Sequence, residues 1–170
     1  MCAAVPRKAE EETRRQESSM DASISWSDGY LLGFNPMDQV HQEFVEFVAA
    51  LQQAADSDLE RVLGVLLQHC QAHFEQEDRW MLESDFPASE CHINEHAAVL
   101  KSIHEVKQQL VIGNVAVCRQ LGNELAAWFP GHADYLDSAL AHWMCKRTLG
   151  GKPVILRRNI KSTELPIDSV

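Results

Sequence analysis

Residues 91–100 read CHINEHAAVL, a stretch that puts two histidines, His92 and His96, four residues apart. Side chains at this spacing share one face of an α-helix. The same face continues through the apolar residues Val99, Ile103, Val106 and Leu110. The two imidazoles therefore lie on the stripe that a folded helix buries, and the stretch predicts a helical core that contains ligand-type side chains.

Three further segments show the same helical periodicity. The four segments cover roughly residues 37–55, 58–83, 89–111 and 115–145. Short connections join them, which favours an all-α fold: an up-down-up-down antiparallel four-helix bundle with an N-terminal arm and a C-terminal tail. Pro130-Gly131 falls inside the fourth segment, where proline removes a backbone hydrogen bond and should kink or restart the helix.

The length of 170 residues suits one domain. We place the bundle at residues 23–146, with 23–36 as an apolar but irregular arm ahead of the first helix. Residues 1–22 are charged and lack large apolar side chains after Val5, which predicts a disordered extension. Residues 147–170 form a basic tail, which either docks on the bundle or binds an acidic protein partner.

The charge of the chain excludes some partners. Its formal net charge is −10, and most of the acidic side chains fall within the bundle, which would repel nucleic-acid phosphates. No apolar stretch approaches membrane-spanning length, and no signal-peptide pattern begins the chain. The five cysteines include no C-x-x-C pair, so reduced thiols in the cytoplasm are the simplest interpretation.

Metal-ligating side chains occupy the inward stripes of all four predicted helices. They are His41, His73, Glu77, His92, His96 and His132. Burying such groups without partners costs several kcal/mol each, so this many of them predict a metal site. The set is rich in imidazole and has no thiolate, and carboxylates can bridge two ions, which favours Fe(II) or another first-row ion over a structural zinc.

Two other metal sites agree less well with the sequence. H-x-x-E-H at residues 92–96 is the signature of inverted zinc peptidases. Such an enzyme needs a distant third ligand and a peptide cleft, and Glu95 lies about 100° round the helix from His96. The ferritin-like di-iron site requires E-x-x-H pairs, and no histidine here has a glutamate three residues before it.

The order of the motifs resembles hemerythrin, a non-haem di-iron bundle that binds oxygen. The resemblance covers roughly residues 24–145 and depends on five stretches. They are WSDGYLLGF (26–34), DQVHQEFVEF (38–47), HFEQE (73–77), HINEH (92–96) and WFPGHADYLD (128–137). Each motif alone is weak, whereas the ordered set is specific.

The resemblance implies two iron ions bridged by an oxo or hydroxo oxygen. It assigns His92, His96 and His132 to one iron, His41 and His73 to the other, and Glu77 and Asp137 as bridges between them. Periodicity alone misses Asp137, because five residues after His132 correspond to about 140° round an ideal helix. Local unwinding near Pro130-Gly131 would be one way to bring the two side chains together.

The implied function is reversible O2 binding for storage, transport or buffering, without enzyme activity. The residues predicted to line an O2 pocket are Phe44, Phe74, Trp128 and Phe129. A di-iron enzyme acting on peroxide, nitric oxide or Fe(II), and a sensor of oxygen, redox state or iron, remain open because they need the same ligands. We expect the remaining histidines, His69, His104 and His142, to be structural or at the surface.

Overall fold

The structure is a computed structural model that describes residues 23–155. Within this range it consists of helices and turns, without strands. The helices are α1 (Asn35–Gln53), α2 (Leu59–Glu83), α3 (Ser89–Val111), α4 (Val115–His132) and α5 (Ser138–Thr148). Short 3-10 turns at Asp28–Tyr30 and Asp56–Asp58 precede α1 and α2, and a π turn, Ala133–Asp137, joins α4 to α5.

The helices form the predicted bundle. The main contacts pair α1 with α2, α2 with α3, α3 with α4, and α4 with α1, which is the square arrangement of an up-down-up-down bundle. The prediction of an all-α four-helix bundle is therefore confirmed. α1 begins two residues earlier than predicted, with Pro36 in its first turn, where proline lacks only a hydrogen bond that the helix does not make.

Two apolar clusters fill the bundle on either side of a polar layer. The larger includes Phe44, Leu66 and Phe129, and the smaller includes Met37 and Met81. Along α1 the order is Met37, His41, Phe44, so the buried histidine lies between the two clusters. The ligand candidates thus occupy one layer that water reaches poorly.

Asp38 attaches the N-terminal arm to the bundle. Its carboxylate accepts hydrogen bonds from the backbone N–H groups of Leu32 (2.7 Å) and Gly33 (3.0 Å). Tyr30 packs on the larger apolar cluster and Phe34 belongs to the smaller one. The arm therefore crosses the polar layer from outside.

The beginning of the basic tail meets this arm. Gly33 has a φ of +79°, and a Cβ there would lie 3.0 Å from the Pro153 Cβ and 3.2 Å from the Ile155 Cγ1. Residues 1–22 and 156–170 lie outside the described residues, so the disordered extension, the partner of the tail and the domain limits stay predictions. No helix in the described part of the chain is both long and apolar enough to span a bilayer.

Candidate metal centre

The structure brings all seven predicted ligands into the polar layer, and none is more than 5% exposed. α1 supplies His41, α2 supplies His73 and Glu77, and α3 supplies His92 and His96. His132 ends α4 and Asp137 ends the π turn. Side chains from every helix of the bundle therefore meet without using a loop.

The π turn explains how Asp137 reaches this layer. The N–H of Ser138 donates to the carbonyl of Ala133, five residues earlier, so the helix is locally wider than an α-helix. This places residues five apart on one face, and the Nε2 of His132 lies 3.2 Å from an oxygen of Asp137. The irregularity begins after His132, whereas Pro130 itself remains inside α4.

Glu77 points one oxygen at each half of the layer. Its Oε1 lies 2.9 Å from the Nε2 of His73 and 3.5 Å from that of His41. Its Oε2 lies 3.4 Å from the Nε2 of His96 and 3.5 Å from that of His92. The carboxylate is therefore shared by a two-histidine half and a three-histidine half.

The two carboxylate oxygens of Asp137 also face different halves of the layer. Its Oδ2 lies 3.2 Å from the Nε2 of His41, while its Oδ1 lies 3.0 Å from that of His92. Donor atoms of Glu77, His92, His96, His132 and Asp137 fall within 4.8 Å of one another, and so do those of His41, His73 and Glu77. Two adjacent groups that share a carboxylate are the arrangement expected for a pair of ions.

Several of these donor atoms have no hydrogen-bond partner among residues 23–155. They include the Nε2 atoms of His41 and His96, the Oε2 of Glu77 and both oxygens of Asp137. The Nε2 atoms of His92 and His132 also face each other at 3.1 Å. Buried polar atoms left in this way cost free energy, and a cation at their centre removes that cost, so the residues fit a metal.

The electrostatics also favour a cation. Burial lowers the pKa of His41, but Asp137 and Glu77 outweigh this effect and raise it to about 10. Burial raises the pKa of Asp137, but the imidazoles of His132, His41 and His92 close to its oxygens outweigh this effect and hold it well below its ordinary value. The carboxylates are thus ionised, and the layer requires positive charge from protons or from metal.

The four predicted lining residues all contact ligand rings or one another. Phe74 stacks on His96 with ring centroids 4.1 Å apart, and Trp128 covers His132 at 4.3 Å. Phe129 meets His41 edge-on at 5.3 Å, and Phe44 packs against Phe129 at 4.9 Å. Together these four side chains form an aromatic layer.

His69 lies at the edge of the aromatic layer. Its ring is 5.7 Å from that of His73 and 5.0 Å from that of Phe47, and its Nδ1 is 3.6 Å from a carboxylate oxygen of Glu43. Burial, assisted by the neighbouring His73, lowers the pKa of His69 to about 4, so the ring is neutral at physiological pH. In the sequence, the position of His69 one helical turn before His73 was the signal that the two rings would lie close together.

Two carboxylates outside the predicted set contact the outer nitrogens of ligand rings. Asp78 lies 2.8 Å from the Nδ1 of His96, and Glu95 lies 2.9 Å from the Nδ1 of His132. Sequence reasoning passed over Asp78 and treated Glu95 only as a neighbour of His96. The frequent pairing of ligand histidines with carboxylates was a general signal for both.

Comparison with known proteins agrees with this geometry. Residues 32–143 match the family model described as "Hemerythrin HHE cation binding domain". A bacteriohemerythrin of Ralstonia nicotianae is 35% identical over 124 residues, which cover 73% of this chain and 90% of that protein. A bacteriohemerythrin of Stenotrophomonas maltophilia is 24% identical over 124 residues, covering 71% and 80% respectively.

Proposed function

This chain belongs to the hemerythrin family, and from that premise we propose that it binds O2 reversibly at a pair of iron ions. The observation that supports a pair is the division of Glu77 and Asp137, each of which points one oxygen at each half of the layer. Imidazole nitrogen and carboxylate oxygen form a donor set that suits iron.

The proposed ligands follow the two halves. His92, His96 and His132 would hold one ion, His41 and His73 would hold the other, and Glu77 and Asp137 would contribute to both. A reduced iron pair supplies the electrons that reversible O2 binding requires. Because the two-histidine half supplies fewer imidazoles, an external ligand such as O2 would bind on that side.

The aromatic layer has a separate role in this proposal. Phe129 and Phe44 are fully buried; Phe129 packs edge-on against the ring of His41, and Phe44 packs against Phe129. Apolar rings offer no hydrogen bonds to water or to anions, so they favour a small uncharged ligand and slow irreversible oxidation. This supports a binding protein for storage, transport or buffering of O2.

One observation favours a second candidate, a di-iron enzyme acting on peroxide or nitric oxide. The Nε2 of His69 is buried without a hydrogen-bond partner among the described residues. A neutral imidazole next to the two-histidine half can pass on a proton during turnover. We rank it second because the other rings that pack against His41 and His73 in the two-histidine half are apolar; they are Phe129, Phe44 and Phe74.

The test is stopped-flow spectroscopy on the anaerobically reduced, iron-loaded protein. A visible charge-transfer band that forms with O2, disappears on deoxygenation and returns with fresh O2 supports the carrier. Rapid decay to a stable oxidised form with release of peroxide supports the enzyme. Wild-type protein that holds no iron pair overturns both proposals. His73→Ala should abolish the band, and the exposed His104→Ala is the matched control.

A further inference from the structure

We propose that Asp78 and Glu95 are positioning residues, which orient His96 and His132 and strengthen these imidazoles as ligands of one iron. This inference rests on the proposed function, because it concerns the half that holds three histidines. The two carboxylates come from different helices and reach the layer from outside. Neither would touch the iron or O2.

Asp78 acts on His96 from the neighbouring helix. It follows Glu77 on α2, and its Oδ1 accepts a hydrogen bond from the Nδ1 of His96 at 2.8 Å. The inward Nε2 of the same ring lies 3.4 Å from Glu77. A proton held on Nδ1 leaves the lone pair on Nε2, which is the tautomer that a metal requires. Phe74, stacked at 4.1 Å, prevents the ring from tilting.

Glu95 acts on His132 across the interface between α3 and α4. Its Oε2 accepts from the Nδ1 of His132 at 2.9 Å, while the Nε2 lies 3.2 Å from Asp137. Trp128 covers the ring at 4.3 Å. The arrangement repeats that of His96: a carboxylate on the outer nitrogen, an aromatic ring on one face, and a shared carboxylate at the inner nitrogen.

The two halves of the layer differ in the hydrogen-bond partners of their outer Nδ1 atoms. Among residues 23–155, the buried Nδ1 atoms of His41 and His73 have no hydrogen-bond partner, and neither has that of His92. Carboxylate partners therefore support only the three-histidine half. Because such partners raise the basicity of an imidazole, the iron in this half should be retained longer and should favour its oxidised state more strongly.

The experiment uses Asp78→Asn and Glu95→Gln in the full-length, iron-loaded protein. Both changes remove charge but keep an oxygen that accepts the hydrogen bond, and side chains 30% and 46% exposed should tolerate them. Glu75→Gln on α2 and Glu105→Gln on α3 are matched controls, since both carboxylates are exposed and pair with the exposed side chains of Arg79 and Lys101. The readouts are iron content during a chelator challenge and the midpoint potential.

We expect each variant, but neither control, to lose one of its two irons about 10- to 100-fold faster than wild type. The midpoint potential should also rise. Iron loss and potential identical to those of the controls would overturn the positioning role while leaving the proposed function intact. A wild-type protein that holds no iron pair would overturn both, so the two failures are distinguishable.

Discussion

Glu77 is the side chain on which the pairing of the two halves depends. Glu77→Gln replaces one of its oxygens by an amide nitrogen, which cannot donate a lone pair to a metal. Because one oxygen faces His73 at 2.9 Å and the other faces His96 at 3.4 Å, one half must lose its donor and the other keeps a neutral one. The substitution should therefore weaken the binding of both ions.

The magnitude follows from the burial of this carboxylate, which is 1% exposed. Removing one charged member of a buried pair costs about 3–5 kcal/mol. Since each 1.4 kcal/mol is about a factor of ten, binding of the ions should weaken by roughly a hundredfold or more. His73→Ala changes only the two-histidine half, and we expect it to lose one ion and keep the other.

Native mass spectrometry of the iron-loaded proteins gives the number of ions per chain. The expected values are two for wild type, about one for His73→Ala, and fewer than one for Glu77→Gln under mild chelation. Glu75→Gln on the same helix, 74% exposed, is the control for a charge change without contact to the layer. Two ions retained by Glu77→Gln at wild-type affinity would refute the shared-carboxylate reasoning.

Four further predictions concern protons and packing. Burial lowers the pKa of His41 but the two carboxylates raise it to about 10, so metal uptake by the metal-free protein should release protons, measurable with an indicator at pH 8. The same raised pKa stabilises the metal-free fold fully below pH 6.5, and its urea-unfolding free energy should fall as pH rises towards about 10. Burial, with help from His73, lowers the pKa of His69 from 6.5 to about 4, so the unfolded chain takes up a proton that the folded one does not. The free energy of unfolding should therefore fall as the pH falls from 6.5 towards about 4. The urea midpoint of wild type should be lower at pH 5 than at pH 7, and this difference should be smaller for His69→Gln. Phe129→Ala should lower the free energy of unfolding, measured with urea, by about 3–5 kcal/mol, since this ring is 1% exposed. Phe47 is only half-buried, so a loss no larger than that caused by Phe47→Ala would contradict the packing argument.

Helix periodicity predicted the bundle and most of the residues of the polar layer. His92 and His96, like His73 and Glu77, are four residues apart on stripes that also carry core residues. Which residues share a helical face is a local property, set by 3.6 residues per turn, so it can be read without knowing the neighbouring helices. The order of these motifs also indicated the family, which the match over residues 32–143 confirms.

Asp137 marks the limit of that reasoning. Its place beside His132 depends on a π turn, in which the backbone hydrogen bonds shift by one residue. Periodicity assumes a regular helix, so it placed Asp137 on another face. Only the motif order implied that the carboxylate belongs to the layer.

The tertiary structure alone decided which groups surround the ligands. Asp78 meets His96, and Glu95 meets His132, across interfaces between helices. His69 lies at the edge of the aromatic layer, next to His73 and Phe47. Such contacts depend on how each helix is rotated and displaced against its neighbour. The sequence of one helix determines which of its side chains share a face, but the packing of the whole bundle determines which side chains of other helices they meet.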